Sequence, residues 1–514
     1  MVMKKSLREL FLKEQGHRTL LILTTIFILL GAGVLFLCIS CALGEDIWFD
    51  EVFSVRFMQK GYLDIAALTA QDVHPPFYYW YLKTFHDLFK GLGSPASSVV
   101  LAKMASVLPY LSIWVYAFTL IRKRMGMPVA AAFLFFVSAM PQLSNYIVEI
   151  RMYSLALFLT TAVFCHSYEI VCENKKRHWI LFCFYGILTA YTQYYACVGI
   201  VAVYIALFVY FLWTGQNKAL IRLMVAALVS VLLYLPWLPA FLGQLRTVSS
   251  SYWIQPLTFR SIFGCMKYVF LPVSYDTGNN YVLAVCMIVL FASFYLYALC
   301  KEKSKNVRYL LLCGVFIPVF TAGVGFICSA LNRPIFVYRY LLPGLGAMWL
   351  VAAYALVKYR RERILLLVWI PFLLAGYSNM KGFYAEENKK VVQMESTQAF
   401  LEAFPKDAVI LCNFNHVQAL TGYYLANENY LYGGEPEKLI ATLQPNCLGM
   451  PDTEDLQHLV ETEDVYFFGS FEAREELLKE WEEKKITYTQ EGTYLLERYY
   501  FNVYHLKIEN SSGK

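Results

Sequence analysis

The 514 residues are 58% hydrophobic and only 16% charged, where a soluble chain carries about a quarter charged residues. That excludes a string of soluble domains, and the long apolar runs read as membrane helices. The formal charge of +6 is not a nucleic-acid signal, because the basic residues sit in short clusters between apolar runs, where the positive-inside rule accounts for them. A basic stretch, 1–18, leads into an apolar run over 19–43. It is too long for a signal-peptide core and has no small-x-small cleavage site, so an uncleaved first membrane helix is expected.

Ten more spans are predicted over 98–121, 127–146, 150–172, 179–194, 196–214, 219–242, 281–300, 309–331, 338–357 and 364–380, each near the ~20 residues a crossing needs. With the N-terminus inside, Arg122-Lys123-Arg124, Lys175-Lys176-Arg177, Lys218 with Arg222, Lys301/Lys303/Lys305/Arg308 and Lys358 to Arg363 all fall on the same side. This agreement predicts a cytoplasmic N-terminus, an odd number of spans and an extracytoplasmic C-terminus in a multi-pass cell-membrane protein. Two outer loops are long, 44–97 and 243–280, and both read as partly amphipathic helices along the membrane surface. Tyr252 and Trp253 suit that interface.

From about Lys381 the chain turns acidic and polar. Strand-like segments at 408–413, 464–468, 486–497 and 499–508 alternate with helical ones at 416–426, 454–463 and 472–485, which predicts a small α/β domain. The fold class is therefore a polytopic α-helical membrane protein: a transmembrane module over 1–380 and an extracytoplasmic α/β domain over 381–514. Most of the thirteen cysteines lie in apolar spans, where Cys acts as a small hydrophobe. No Cys/His pattern of metal-ligand spacing occurs. Cys412 and Cys447, in the tail, are expected as two free thiols, with pairing open to them in an oxidising compartment.

Polar residues that could carry chemistry gather at outer boundaries. Asp50-Glu51 follows Trp48-Phe49 and precedes Phe53. An isolated acidic pair is usually a solvated loop, but apolar flanks desolvate a carboxylate, raise its pKa and suit it to general-base work. On a helix the two side chains diverge by about 100°, so one could face a substrate while the other orients it or caps the helix. His74-Pro75-Pro76 reads as a turn before a helix, with the aromatic run 77–81 lining a groove. Glu149 and Arg151, next to Tyr153, fit an interfacial ion pair or a functional one equally well. Arg333, Arg339 and Tyr340 open the tenth span on the outer face; the arginines fit either snorkelling to the surface or phosphate binding. Lys103 has a stem long enough to snorkel, or could meet Asp50, Glu51 or a lipid phosphate. Gln193, within Tyr191–Tyr195, belongs to an interfacial hydrogen-bonding cluster.

Together these residues supply a carboxylate to take a proton and cations to hold a phosphate, the kit for attack by a hydroxyl on a sugar whose leaving group is a lipid phosphate.

On Asp50-Glu51 after the first span, His74-Pro75-Pro76-Phe-Tyr-Tyr, Glu149-x-Arg151-Met-Tyr153-x-Leu155, Leu235-Pro236-Trp237-Leu238-Pro239, and Arg333-Pro334 with Arg339-Tyr340-Leu-Leu-Pro343, the chain resembles the GT-C membrane glycosyltransferases. The likeness is to the dolichyl-phosphate-mannose protein mannosyltransferase type and its bacterial aminoarabinose-transferase relatives. The resemblance covers 35–344. It implies an inverting glycosyltransferase with a polyprenyl-phosphate-linked sugar donor, a cell-envelope acceptor and an outer-face site. It also implies Asp50 as base with Glu51 in support, and Arg339 and Tyr340 near the donor phosphate. Arg333 and Lys103 are the further phosphate candidates, and His74, Glu149, Arg151, Tyr153 and Gln193 the substrate-binding ones.

The chain departs from the relatives' pattern at Gln193 (commonly His), Lys103 (commonly Arg) and His74 (Lys in aminoarabinose-type relatives). A divalent metal stays open as a cofactor, without an assigned ligand set. The rival classes are a transporter or flippase of lipid-linked sugars and a non-catalytic relative. The first does not explain carboxylates gathered in a loop outside the bilayer, and no inverted repeat is visible. The second does not explain why Asp50 and Arg339-Tyr340 are both kept.

Overall fold

Eight helices among the described residues are long and apolar enough to cross a membrane: Arg18–Cys41, Ser98–Met125, Tyr153–Glu173, Tyr194–Thr214, Asn217–Arg246, Gly278–Lys301, Lys305–Leu331 and Tyr338–Lys358. The structure, a computed structural model, describes residues 2–250, 256–272, 277–331, 334–359, 365–469, 474–496 and 499–508. The remaining three predicted spans take other forms. Met127–Ala139 has 13 residues, about 20 Å at 1.5 Å per residue, and stops where Met140-Pro141 leaves helical geometry. Lys176–Ala190 has 15 residues and ends in the turn ahead of Gln193. The last predicted span is the start of Leu365–Ala403, a helix that continues without interruption past the composition change at Lys381.

Contacts group the chain into two units, one of 1–43, 65–94 and 101–385, the other of 44–64, 95–100 and 386–514. Compactness thus follows a different division from chain order: the start of the 44–97 loop belongs with the C-terminal residues rather than with the helices that flank it.

In the first unit, Tyr153–Glu173 and Tyr338–Lys358 are buried along almost their whole length. Small residues let helices approach: a Cβ on Gly346 would meet Thr161, and one on Gly314 would meet Val351. Asn217–Arg246 and Gly278–Lys301 instead expose Val225, Leu228, Leu232, Val282, Val285 and Val289. In water so large an apolar face is costly; against lipid it is the expected outer surface. Phe77–Gly91 is tied to the turn after Lys176–Ala190, and Leu238–Ser250 to Thr69. Phe77 N–H donates to Tyr191 O at 3.0 Å, and Gln244 Nε2 to Thr69 O at 2.6 Å.

The second unit is built on a six-stranded mixed sheet: β1 (Val409–Cys412), β2 (Asn429–Tyr432), β3 (Cys447–Met450), β4 (Val465–Gly469), β5 (Ile486–Leu496) and β6 (Tyr499–Ile508), in the order β3-β2-β1-β4-β6-β5. β1 to β4 are parallel, and β6 runs antiparallel to both β4 and β5. The α/β alternation is as the sequence predicts. β2, β3 and the helix Lys438–Leu443 were not expected, because these segments of four to six residues are too short for a periodicity to show. One face of the sheet packs Val409, Leu411, Val465, Phe467 and Leu506 against Trp481. Cys412 and Cys447 are buried free thiols; Cys412 Sγ donates to Asn429 Oδ1 at 3.3 Å, and burial pushes the Cys447 thiol up to about 12.

Candidate functional site

The polar residues of the first unit converge at one end of the Tyr153–Glu173 helix. His74 stands in the turn before Phe77–Gly91, with Nδ1 3.3 Å from Asp72 Oδ2 and Nε2 3.4 Å from Arg151 Nη2. A guanidinium only donates, so Nε2 accepts and the ring proton sits on Nδ1, facing Asp72. Burial alone would raise the Asp72 pKa; the hydrogen bonds from His74 and the Val73 backbone and the charge of Arg151 override it and hold the carboxyl below its ordinary value.

Arg151 N–H donates to Glu149 O at 2.7 Å in the bend that opens the helix. One residue pair further on, the Tyr153 ring receives Arg339, with Cζ 5.8 Å from the centroid, and meets Tyr146 edge-on at 4.8 Å. Cation–π contact of this kind holds a guanidinium without neutralising it. Tyr340 stacks on Tyr195 at 4.5 Å, and Gln193 caps Tyr194–Thr214, its Oε1 accepting from Ala196 N–H at 3.0 Å. A cleft of about 280 Å³, mostly apolar, is lined by His74, Gln193, Tyr195, Gln244 and Tyr340 together with Val73, Phe241 and Val324.

Of the sequence candidates, His74, Gln193 and Tyr340 therefore line one cleft, and Arg151, Tyr153 and Arg339 form the charged and aromatic cluster linked to it through His74 and Tyr340. Glu149 joins through its backbone. Lys103 is buried in Ser98–Tyr116 and does not snorkel to the surface. Arg333 lies outside the described residues. Asp72 and Gln244 were not singled out by the sequence reading; the only sequence signal for Asp72 is a carboxylate two residues before a histidine.

The remaining two candidates belong to the second unit. Trp48 N-caps the helix Phe49–Met58, which places Asp50 and Glu51 in its first turn, where acidic side chains complement the helix dipole. Glu51 is buried, and its Oε2 accepts from Trp48 N–H at 3.1 Å, the carboxylate half of a capping box. Asp50, about 100° further round, is half-buried. The helix lies on the C-terminal residues through Trp48, Phe49 and Phe53 against Ala419, Ile440 and Cys447.

Among the described residues, the group with metal-ligand spacing is Glu169, Glu173 and His178. These carboxylates already hold Arg124 and Lys175, so the donor set does not fit a divalent ion. This group lies at the opposite end of the Tyr153–Glu173 helix from the cleft.

No family model and no curated protein matches the sequence. In structure, the chain is similar to ArnT from Cupriavidus metallidurans bound to undecaprenyl phosphate, with a TM-score of 0.56 and 13% identity over 95% of this chain and 99% of that one. It is similar also to the apo state of that protein, with a TM-score of 0.53 and 13% identity over the same shares. At this identity the likeness is one of fold, and it extends over both units: the chain has the ArnT-like fold of the GT-C membrane glycosyltransferases.

Proposed function

We propose that this chain is an inverting glycosyltransferase, mannosyltransferase-like, that moves a sugar from a polyprenyl-phosphate-linked donor to a cell-envelope acceptor hydroxyl on the outer face of the membrane. The observation that carries the reading is the meeting of an apolar cleft with His74, Arg151, Tyr153, Arg339 and Tyr340 at one end of the membrane unit. An apolar wall suits a prenyl chain, and guanidinium donors suit its phosphate. A fold shared with a protein that binds undecaprenyl phosphate supports the same donor class.

In the proposed step the acceptor oxygen attacks the anomeric carbon from the side opposite the phosphate. The bond from that carbon to the phosphate oxygen breaks, and its electron pair leaves with the polyprenyl phosphate. Asp50 takes the hydroxyl proton, and Glu51, capping the same helix turn, keeps Asp50 in place. The leaving phosphate gains charge during the step, so Arg339, with Arg151, Arg333 and Lys103 as further cations, stabilises the transition state more than the ground state.

The test is turnover of undecaprenyl-phosphate-linked mannose, glucose and aminoarabinose in membranes, read as release of undecaprenyl phosphate. Asp50→Asn is expected to lower the rate by roughly 10²–10⁴-fold while undecaprenyl phosphate still binds. Turnover equal to wild type would remove Asp50 as the base. Orientation has its own check: protease added outside intact cells is expected to remove the residues after Ala403, and their protection would reverse the topology.

A further inference from the structure

The helix that carries Asp50 is paired, residue for residue, with a helix of the C-terminal residues. Phe49, Phe53 and Arg56 recur at i, i+4 and i+7, which puts them on one face of Phe49–Met58. His416, Ala419 and Tyr423 recur at i, i+3 and i+7 on Asn415–Tyr424.

The contacts run in the same order along both helices. At the first turn the Phe49 and His416 ring centroids are 3.8 Å apart. In the middle, Phe53 and Ala419 share an apolar cluster with Ile440 and Cys447. At the last turn the Arg56 guanidinium lies 4.9 Å from the Tyr423 ring centroid, and its Nη2 is 3.4 Å from Gln444 Oε1. Gln444 is itself fixed, donating to Ala419 O at 3.0 Å. The two helices are therefore parallel, with their N-termini side by side.

His416 occupies a particular place in the sheet. It follows the carboxyl end of β1, and β1 lies next to β4 where the order β3-β2-β1-β4 reverses direction. Open α/β sheets place their ligand-contacting residues at that reversal. Here the His416 ring is held between Phe49 and Phe414, whose centroid is 4.5 Å away. The Asp50 carboxylate is close enough to act on the imidazole electrostatically, opposing the burial that lowers its pKa.

We propose that the C-terminal residues are part of the catalytic apparatus: the Asn415–Tyr424 helix clamps the Phe49–Met58 helix at both ends, and His416 is the positioning residue that sets the Asp50 carboxylate. This rests on the reading of Asp50 as the base. The clamp fixes the azimuth of a side chain that stands one residue beyond the Phe49 anchor. A shift of about 1 Å in a proton acceptor is enough to lower a rate by roughly 10²-fold.

The full-length protein in nanodiscs supplies two readouts. Hydrogen exchange over residues 48–58 requires no substrate. It is expected to rise at least about tenfold in His416→Ala and in the far-end variant Gln444→Ala, relative to wild type; unchanged exchange in both would overturn the clamp. The second readout is turnover of undecaprenyl-phosphate-linked mannose, glucose and aminoarabinose. His416→Ala is expected to lower kcat at least about tenfold with the donor KM within about twofold. His416→Asn, which keeps a polar planar side chain, is expected to recover part of that loss, and His416→Phe, which keeps only the ring stacking, is not. If Asp50→Asn is inactive and His416→Phe turns over like wild type, the positioning role is overturned and the base assignment stands. If Asp50→Asn itself turns over like wild type, the base assignment fails and takes this inference with it.

Discussion

The two ends of the Tyr153–Glu173 helix both carry charge at a membrane boundary, and they are built to opposite ends. At the Glu173 end, Arg124 grips Glu169 bidentately, with Nε 2.6 Å from Oε1 and Nη2 2.7 Å from Oε2. Arg124 also meets Glu173, Lys175 sits 2.5 Å from Glu173, and His178 lies 3.5 Å from Glu169. Acid is matched by base, and the cavity beside Arg124 and Glu169 is only about 10 Å³. At the Tyr153 end, Arg339 rests on an aromatic face, and Arg151 shares a neutral imidazole with Asp72. A cleft of about 280 Å³ opens beside them. A charge at a membrane boundary is thus weak evidence of function; a guanidinium held by aromatic and imidazole partners beside an open apolar cleft is much stronger evidence.

The comparison breaks most severely if the closed end proves dispensable. Arg124→Ala leaves Glu169, which is buried, without its bidentate partner, and removing one member of such a pair costs about 3–5 kcal/mol. A large fall in the thermal midpoint in detergent is expected, with undecaprenyl phosphate affinity per folded molecule unchanged. A variant as stable as wild type would show that this end is a solvated ion pair. Arg339→Ala makes the opposite claim. Stability is expected to hold, while affinity for undecaprenyl phosphate falls about 10–100-fold, the equivalent of one charge-assisted hydrogen bond. Arg339→Lys is expected to recover only part, since an ammonium lacks the planar fork. Equal affinity in the alanine variant would remove Arg339 from the phosphate site.

The sequence made one of these ends legible and not the other. Glu149-x-Arg151 and Arg339-Tyr340 stood out because charge broke into an apolar pattern at the outer boundary, and the positive-inside trend made the arginines anomalous. Glu169 lay near the end of a predicted span, and its partners lay in the expected basic loops, where nothing distinguished a bidentate pair from solvated charge. The membrane bulk, the amphipathic loop helices and the α/β alternation after Lys381 followed from periodicity. The grouping of 44–64 with the C-terminal residues did not, because it depends on side chains more than 350 positions apart, such as Arg56 and Gln444. A helix cap was readable as one of the roles open to the Asp50-Glu51 pair, but not which of the two carboxylates takes it. Asp72 was missed because its significance lies in which nitrogen of His74 it faces, and spacing alone carries no tautomer.

Asp72 provides the finest test of the open end. Its folded pKa is lowered, so its contribution to stability is complete above the ordinary carboxylate value and is lost as pH falls through the depressed one. At neutral pH Asp72→Asn is expected to lower stability by about 1.5–3 kcal/mol, the worth of a hydrogen bond to a charged group. The gap between variant and wild type is expected to close in acid, when wild type loses the same interaction. The consequence for the cleft is more specific. An amide can donate to Nδ1 as well as accept from it, so the proton is free to move to Nε2, where it opposes Arg151 instead of accepting from it. Undecaprenyl phosphate affinity is then expected to fall about 3–10-fold, with ¹⁵N imidazole shifts reporting the changed tautomer. If the imidazole signals of Asp72→Asn match wild type, His74 takes its orientation from Arg151 alone, and the open end is held together by its cations rather than by the carboxylate behind them.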